Sequence, residues 1–212
     1  MSLNFDSFFG PPTQYVPGPY FLAAGCSHSS AVGVDADQSW PGQLGSRTKI
    51  KPCNLAEAGG NAWIASVRIA RWIHSTGRPE FVVVQWPHPI RTVIWKNGPG
   101  TPTNVHDTED LLFQTRLRYS DLNFYAEWMQ SIITTNAVCR AAKIPILNWS
   151  LDIIDPHYLS LLQANGIELY CQTNEMRWTI DQLGTDGRHA GPNAHAQWAQ
   201  QLQEMLNAIT TR

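Results

Sequence analysis

Phe21-Leu-Ala-Ala-Gly-Cys-Ser-His-Ser-Ser30 is the stretch on which the fold turns. An apolar run stops at a glycine and gives way to small polar residues. The run fits a buried strand of about Tyr20 to Ala24, and the polar residues fit a strand-to-helix turn. Ser27 would then stand at the end of a sheet with its own N–H unpaired. A nucleophilic hydroxyl gains from that position, because the same N–H can help to bind an oxyanion. Taken alone, Gly25 to Ser30 reads better as a polar loop, with Ser27 a cap for the following helix.

Outward from this stretch, strand-like and helix-like patterns alternate. Ser39 caps a short helix near Trp40 to Leu44, with Pro41 in its first turn. Lys49 to Ala56 is the second strand candidate and runs into Asn54-Leu-Ala-Glu-Ala-Gly-Gly-Asn61. Trp63, Val67, Ala70 and Ile73 recur at helical spacing over about Ala62 to Ser75, and Gly77 and Pro79 stop that helix. Phe81-Val-Val-Val84 is the β-branched run expected of a fully buried parallel strand, and it ends in Gln85-Trp-Pro-His-Pro89. Ile90 to Thr108 is a long connection, and a long helix is expected over about Thr108 to Ala142, interrupted near Tyr119 to Asn123. A strand over Ile144 to Trp149 follows. Then come a helix from Asp155 or Pro156 to about Asn165, a short strand over Ile167 to Cys171, and a last helix over about Asn193 to Ile209.

This alternation predicts a three-layer α/β/α sandwich with a mostly parallel five-stranded sheet. Sites in such sheets lie at the carboxyl ends of the strands. Ser27 follows the first strand, Gly59 the second, and Gln85 to His88 the third. Asp186 and His189 follow the fifth. All of them fall on one edge.

The second informative stretch is Thr185-Asp-Gly-Arg-His-Ala-Gly-Pro-Asn-Ala-His195, just before the last helix. Asp186 and His189 are three residues apart in a turn. A carboxylate so placed can orient an imidazole, and the imidazole can reach a serine that the fold brings close. With these two motifs in their order, the sequence resembles the SGNH (GDSL-type) hydrolases. Those proteins carry a serine in a Gly-Asp-Ser-like turn after the first strand and an Asp-x-x-His pair before the C-terminal helix. Asp186, Gly187, His189 and His195 match the longer form of that pair, whereas Ala190 and Gly191 depart from it. Cys26 stands where the family has the Asp before its serine.

The resemblance implies a flavodoxin-like SGNH hydrolase fold and a carboxylic ester hydrolase acting on a small-molecule ester. Ser27 would be the nucleophile, His189 the general base and Asp186 its orienting carboxylate. The Ser27 and Gly59 N–H groups would bind the oxyanion, with Gly60 as an alternative to Gly59. The family's third block supplies an Asn after strand three. This chain has none there, so Gln85, Asn61 or His88 would replace it, or the site would lack one donor. Trp86 and Trp95, with His88 and Asn61, are candidates for contact with a sugar or acyl group. His195 reads as structural, bonded to the turn at the start of the last helix. His28, adjacent to Ser27 in sequence, is expected to point its ring elsewhere.

At 212 residues the chain fits one domain, residues 20–212, preceded by a Pro/Gly-rich arm over residues 1–19. Charged residues are only 15% and the net charge is −2, which gives no reason to expect nucleic acid or an anionic membrane surface as partner. No apolar run is long enough to span a membrane. No Gly-rich nucleotide loop follows a strand, and no HxxxH, HExxH or CxxC motif occurs; neither cofactor nor metal is expected. Of Cys26, Cys53, Cys139 and Cys171, three sit in apolar segments as buried free thiols commonly do, and no disulfide is indicated. With no signal-like N-terminus, they point to a cytoplasmic setting. Two readings compete with hydrolysis: a carbohydrate-binding or structural protein on the same fold, motivated by Cys26 and the missing Asn, and an acyltransferase.

Overall fold

The structure is a computed structural model that describes residues 17–89, 91, 93–94, 103–104, 121–171 and 182–210. Its centre is a parallel sheet of five strands in the order β2-β1-β3-β6-β7. The strands are β1 (Tyr20–Ala24), β2 (Lys51–Asn54), β3 (Val82–Gln85), β6 (Ile146–Ser150) and β7 (Leu169–Cys171). A two-residue antiparallel pair, β4 (Val93–Ile94) with β5 (Thr103–Asn104), lies in the long connection and was not legible in the sequence. Five helices are described: α1 (Trp40–Thr48), α2 (Ala62–Ser75), α3 (Asp121–Ala141), α4 (Pro156–Ala164) and α5 (Pro192–Thr210). The expected start of α3 near Thr108, and nearly all of the N-terminal arm, lie outside the described residues.

The side-chain alternation of β1 explains the two covered faces. Tyr20, Leu22 and Ala24 join Val82, Val84 and Trp86 on one face, under Ile69 and Trp72 of α2 and Trp128 and Ile132 of α3. Phe21 and Ala23 join Val83, Leu147 and Trp149 on the other, under Trp40 and Leu44 of α1 and Trp198, Leu202 and Leu206 of α5. Period-two alternation with both faces apolar is what a central parallel strand requires. Each fully buried large side chain contributes about 1.5–3 kcal/mol of transfer free energy.

The helix ends follow from local chemistry. Ser39 Oγ accepts from Gly42 N–H with Pro41 in the first turn of α1, and Asn61 Oδ1 accepts from Ile64 N–H at the start of α2. Asp155 caps α4, which closes at Gly166 with a φ of 70°. The connection from β1 passes through α1 to β2 on one side. The next, through α2, crosses back over β1 to β3. The strand order therefore reverses beside β1, and the crevice at the carboxyl ends of β1 and β3 is the natural place for a ligand.

Candidate active site

The turn after β1 opens at Gly25, whose φ of 153° suits glycine. A Cβ there would collide with Ser29 Oγ and lie 2.8 Å from the Gln85 carbonyl oxygen. Beyond it the chain winds into helix-like turns. Ser30 N–H donates to the Cys26 carbonyl at 2.9 Å and Val32 N–H to the Ser27 carbonyl at 3.0 Å. The turn is anchored at Ser29. Its carbonyl accepts from Asn54 Nδ2 at 2.6 Å, and its hydroxyl accepts from Trp40 Nε1 at 3.0 Å and donates to Gln85 Oε1. An indole N–H can only donate, so Trp40 leaves the Ser29 proton free for Gln85 Oε1. With the Gln85 oxygen on Ser29, the NH2 is the remaining donor end of that amide.

The Asp-His turn docks directly on this segment. Thr185 N–H donates to the Gly33 carbonyl at 2.8 Å, and a Cβ on Gly33 would lie 2.8 Å from Asp186 Oδ1. Asp186 Oδ1 accepts from the N–H groups of Arg188 and His189, each at 3.0 Å, and Oδ2 meets His189 Nδ1 at 2.5 Å. The His189 N–H, then the His189 ring and the Arg188 N–H, hold the carboxyl well below the usual carboxylate range. With Nδ1 on the carboxylate, Nε2 is the nitrogen left to act on a substrate or a hydroxyl. Ser27 is buried on the adjoining turn. Among the described residues no hydrogen bond joins its Oγ to His189; such contacts are often long before substrate binds.

His28 departs from expectation. Its ring does not point away from the site but stands edge-on to His189, centroids 4.9 Å apart at 69°. Its other neighbours are on α5: Trp198 at 5.7 Å and His195 at 6.4 Å. Burial, then the charges of His189, His195 and Arg91, lower its pKa to about 3, with Asp186 opposing. His195 bonds the turn, as the sequence suggested, its N–H donating to the Gly191 carbonyl at 3.3 Å, and its ring reaches α1 as well. Its Nδ1 accepts from Trp40 N–H at 3.1 Å and so satisfies an otherwise unpaired donor in the first turn of α1. Burial lowers it to about 4, against the pull of the Ala190 carbonyl.

The remaining candidates divide. Gly59, at a φ of 75°, lies in a loop docked on the residue two before Ser27, since Glu57 N–H donates to the Gly25 carbonyl. Gly60 is less suited as a donor, because its N–H goes to the Glu57 carbonyl at 2.9 Å. The Asn61 oxygen is taken up in capping α2. Trp86 is a correction. It is 1% exposed, lies in the core and donates from Nε1 to Asn148 Oδ1 at 3.0 Å, so it offers no open surface to a ligand. The pleat carries it to the α2–α3 face, which no motif in Gln85-Trp-Pro-His-Pro89 reveals. Trp95 lies outside the described residues. His88 is exposed, and with Arg91 it opposes the upward shift that burial gives Asp152 after β6. Arg91 and Asp152 belong to this edge and carried no motif by which the sequence could have marked them. Among the described residues no group of three His, Cys, Asp or Glu side chains could hold a metal ion.

No family model matches the chain, and no curated protein does. Solved structures do. TesA superposes with a TM-score of 0.57 at 16% identity, covering 90% of this chain and 99% of that one. A structure described as a lipolytic protein of the G-D-S-L family from Desulfitobacterium hafniense gives 0.56 at 13%, covering 88% and 99%. The acetyl xylan esterase Est2A from the rumen bacterium Butyrivibrio proteoclasticus gives 0.59 at 11%, covering 92% of this chain and 66% of that one. The chain has the SGNH hydrolase fold. In that SGNH-type sheet, both motifs on which the resemblance rested stand at the carboxyl edge.

Proposed function

We propose that the protein is a serine esterase acting on small or medium acyl esters. The observation that carries this reading is the docking of the Asp186–His189 pair on the Ser27 turn through Gly33. His189 Nε2 takes the Ser27 proton as Oγ attacks the ester carbonyl. The tetrahedral oxyanion is held by the N–H groups of Ser27 and Gly59, with the Gln85 NH2 as a third candidate donor. His189 then gives its proton to the leaving alcohol, and an acyl-enzyme remains on Ser27. Water, deprotonated by His189, attacks that ester, and the acid leaves as Ser27 regains its proton. Asp186, ionised throughout, balances the imidazolium. Acetylated carbohydrate and lipid esters both fit this chemistry. The four free cysteines suit a reducing compartment, and among the described residues no helix is long and apolar enough to cross a membrane.

Turnover of p-nitrophenyl acetate and longer acyl esters by the wild type and by Ser27→Ala tests the reading. Activity in the first and its loss in the second is expected; equal activity in both would remove Ser27 from the mechanism. Added acceptor alcohols separate hydrolysis from acyl transfer by their products. A non-catalytic binding role is favoured by one feature, the lack of a direct Ser27–His189 hydrogen bond among the described residues. Carbohydrate binding that survives Ser27→Ala, with no ester turned over, would select it.

A further inference from the structure

We propose that His28 is a positioning residue for His189, a neutral ring wedged between the base and the buried face of α5 that sets the base's orientation and keeps a second cation away from it. This rests on the reading of His189 as the general base.

The Asp186–His189 contact alone does not fix the base. Both residues belong to one short turn and both are partly exposed, with 29% and 24% of their side chains accessible. A carboxylate at Nδ1 restrains one ring atom and leaves the ring free to swing about that contact. Something must stop it from the side, and the His28 ring does so, edge-on at 4.9 Å. His28 is itself held. Trp198 meets it at 87° and 5.7 Å, His195 packs on Trp198 at 4.7 Å, and both α5 side chains are wholly buried. His195 is in turn tied to α1 through the Trp40 N–H. A continuous stack of rings thus runs from the first turn of α1 to the base.

An apolar ring would pack as well, so the choice of histidine needs a reason. His28 Nδ1 is buried and makes no hydrogen bond, a cost that folded proteins seldom carry without a role. The groups whose charge reaches His28 are His189 and Asp186 from the turn before α5, His195 from α5 and Arg91 from the segment after β3. Burial and the three cationic or titratable neighbours keep it uncharged over the working range. When His189 becomes imidazolium at the tetrahedral stage, the group beside it is a polarisable neutral ring rather than a competing cation.

The test uses the full chain and the variants His28→Ala, His28→Phe and His28→Lys. Three readouts are needed: steady-state kinetics on p-nitrophenyl acetate, the acid limb of kcat/KM, and an NMR titration of the His189 imidazole. His28→Ala should lower kcat by about 10–100-fold with KM within about twofold, as expected when a reacting group loses its alignment. His28→Phe, which restores the ring, should recover most of that loss. His28→Lys should move the His189 midpoint and the acid limb down together by about one pH unit, as a like charge in contact does. An unchanged kcat in His28→Ala, or a His189 titration indifferent to His28→Lys, overturns the proposal. Should the lysine variant not fold, the alanine–phenylalanine comparison decides by itself. Should the wild type turn over no ester, the esterase reading fails; whether the His189 resonances respond to His28→Ala and His28→Phe then still shows if His28 sets that ring.

Discussion

Gly33→Ala separates backbone strain from damage to the Asp-His pair. Gly33 has a φ of 85°, and its added Cβ would lie 2.8 Å from Asp186 Oδ1 and 3.2 Å from Cγ. Strain alone costs about 1–2 kcal/mol for a residue with a Cβ in the left-handed region. For a domain of this size that lowers Tm by about 2–8 °C. The contact adds a second effect, because the carboxylate must move by a few tenths of an ångström while three donors from Arg188 and His189 hold it. Loss of the orienting carboxylate in a serine triad lowers kcat by as much as about 10⁴, so partial displacement should cost about 10–100-fold. Gly166→Ala is the control. Its φ is 70°, its nearest neighbour is Arg140 Nη2 at 3.7 Å, and it ends α4 far along the chain from either motif. The expected result is a similar loss of Tm in both variants and a loss of kcat in Gly33→Ala alone, measured by scanning calorimetry and p-nitrophenyl acetate turnover. Strain-sized destabilisation with undiminished kcat in Gly33→Ala would refute the claim that the Gly33 contact holds Asp186 in a working position.

Two further outcomes follow from buried groups. Ser29→Ala removes the hydroxyl between Trp40 Nε1 and Gln85 Oε1, leaving two groups, each at most 1% exposed, without that partner; a loss of about 2–4 kcal/mol in urea unfolding is expected, and a stability equal to wild type would show that the network carries nothing. His28 and His195 have pKa values of about 3 and about 4 in the folded protein, against 6.5 for the free side chain. Between pH 6.5 and about 4 the unfolded chain therefore binds more protons, so stability must fall as pH falls through that window. His28→Phe should flatten the Tm–pH curve there, and identical slopes in the two proteins would contradict the assignment.

Much of the architecture was legible because the signals are local. The Val82–Val84 run, the apolar run of β1 and the helix openings at Ser39 and Asp155 each specify their element without help from elsewhere, whereas the cap at Asn61 was not read from the sequence. The edge on which the candidates meet followed from chain order alone. What the sequence hid depends on the pleat and on long-range contacts. Trp86 looked like loop surface, but one residue of alternation past Gln85 turns it into the core. His28 looked set to face away, because no rule of sequence says that α5 would place Trp198 beside it. Gly33 sat in an unremarked loop, and only the docking of Thr185 gives it a role.

The departure at Cys26 can now be weighed. An Asp before the serine would bring a charged anchor to the turn, and Cys26, 5% exposed and apolar, brings none. The anchor is instead two residues beyond the serine. Ser29 gathers Asn54 from the end of β2, Gln85 from the end of β3 and Trp40 from α1, and so ties the turn to three separate elements. A neutral network of this kind needs no counter-charge and survives burial, where an unpaired carboxylate would not. It also couples the turn to the sheet's switch point, since β2 and β3 flank β1 on either side. The position of Ser27 is therefore set by the same strands that create the crevice. The same network holds the Gln85 oxygen on Ser29, so that the end of the amide able to donate to an oxyanion is the end left over.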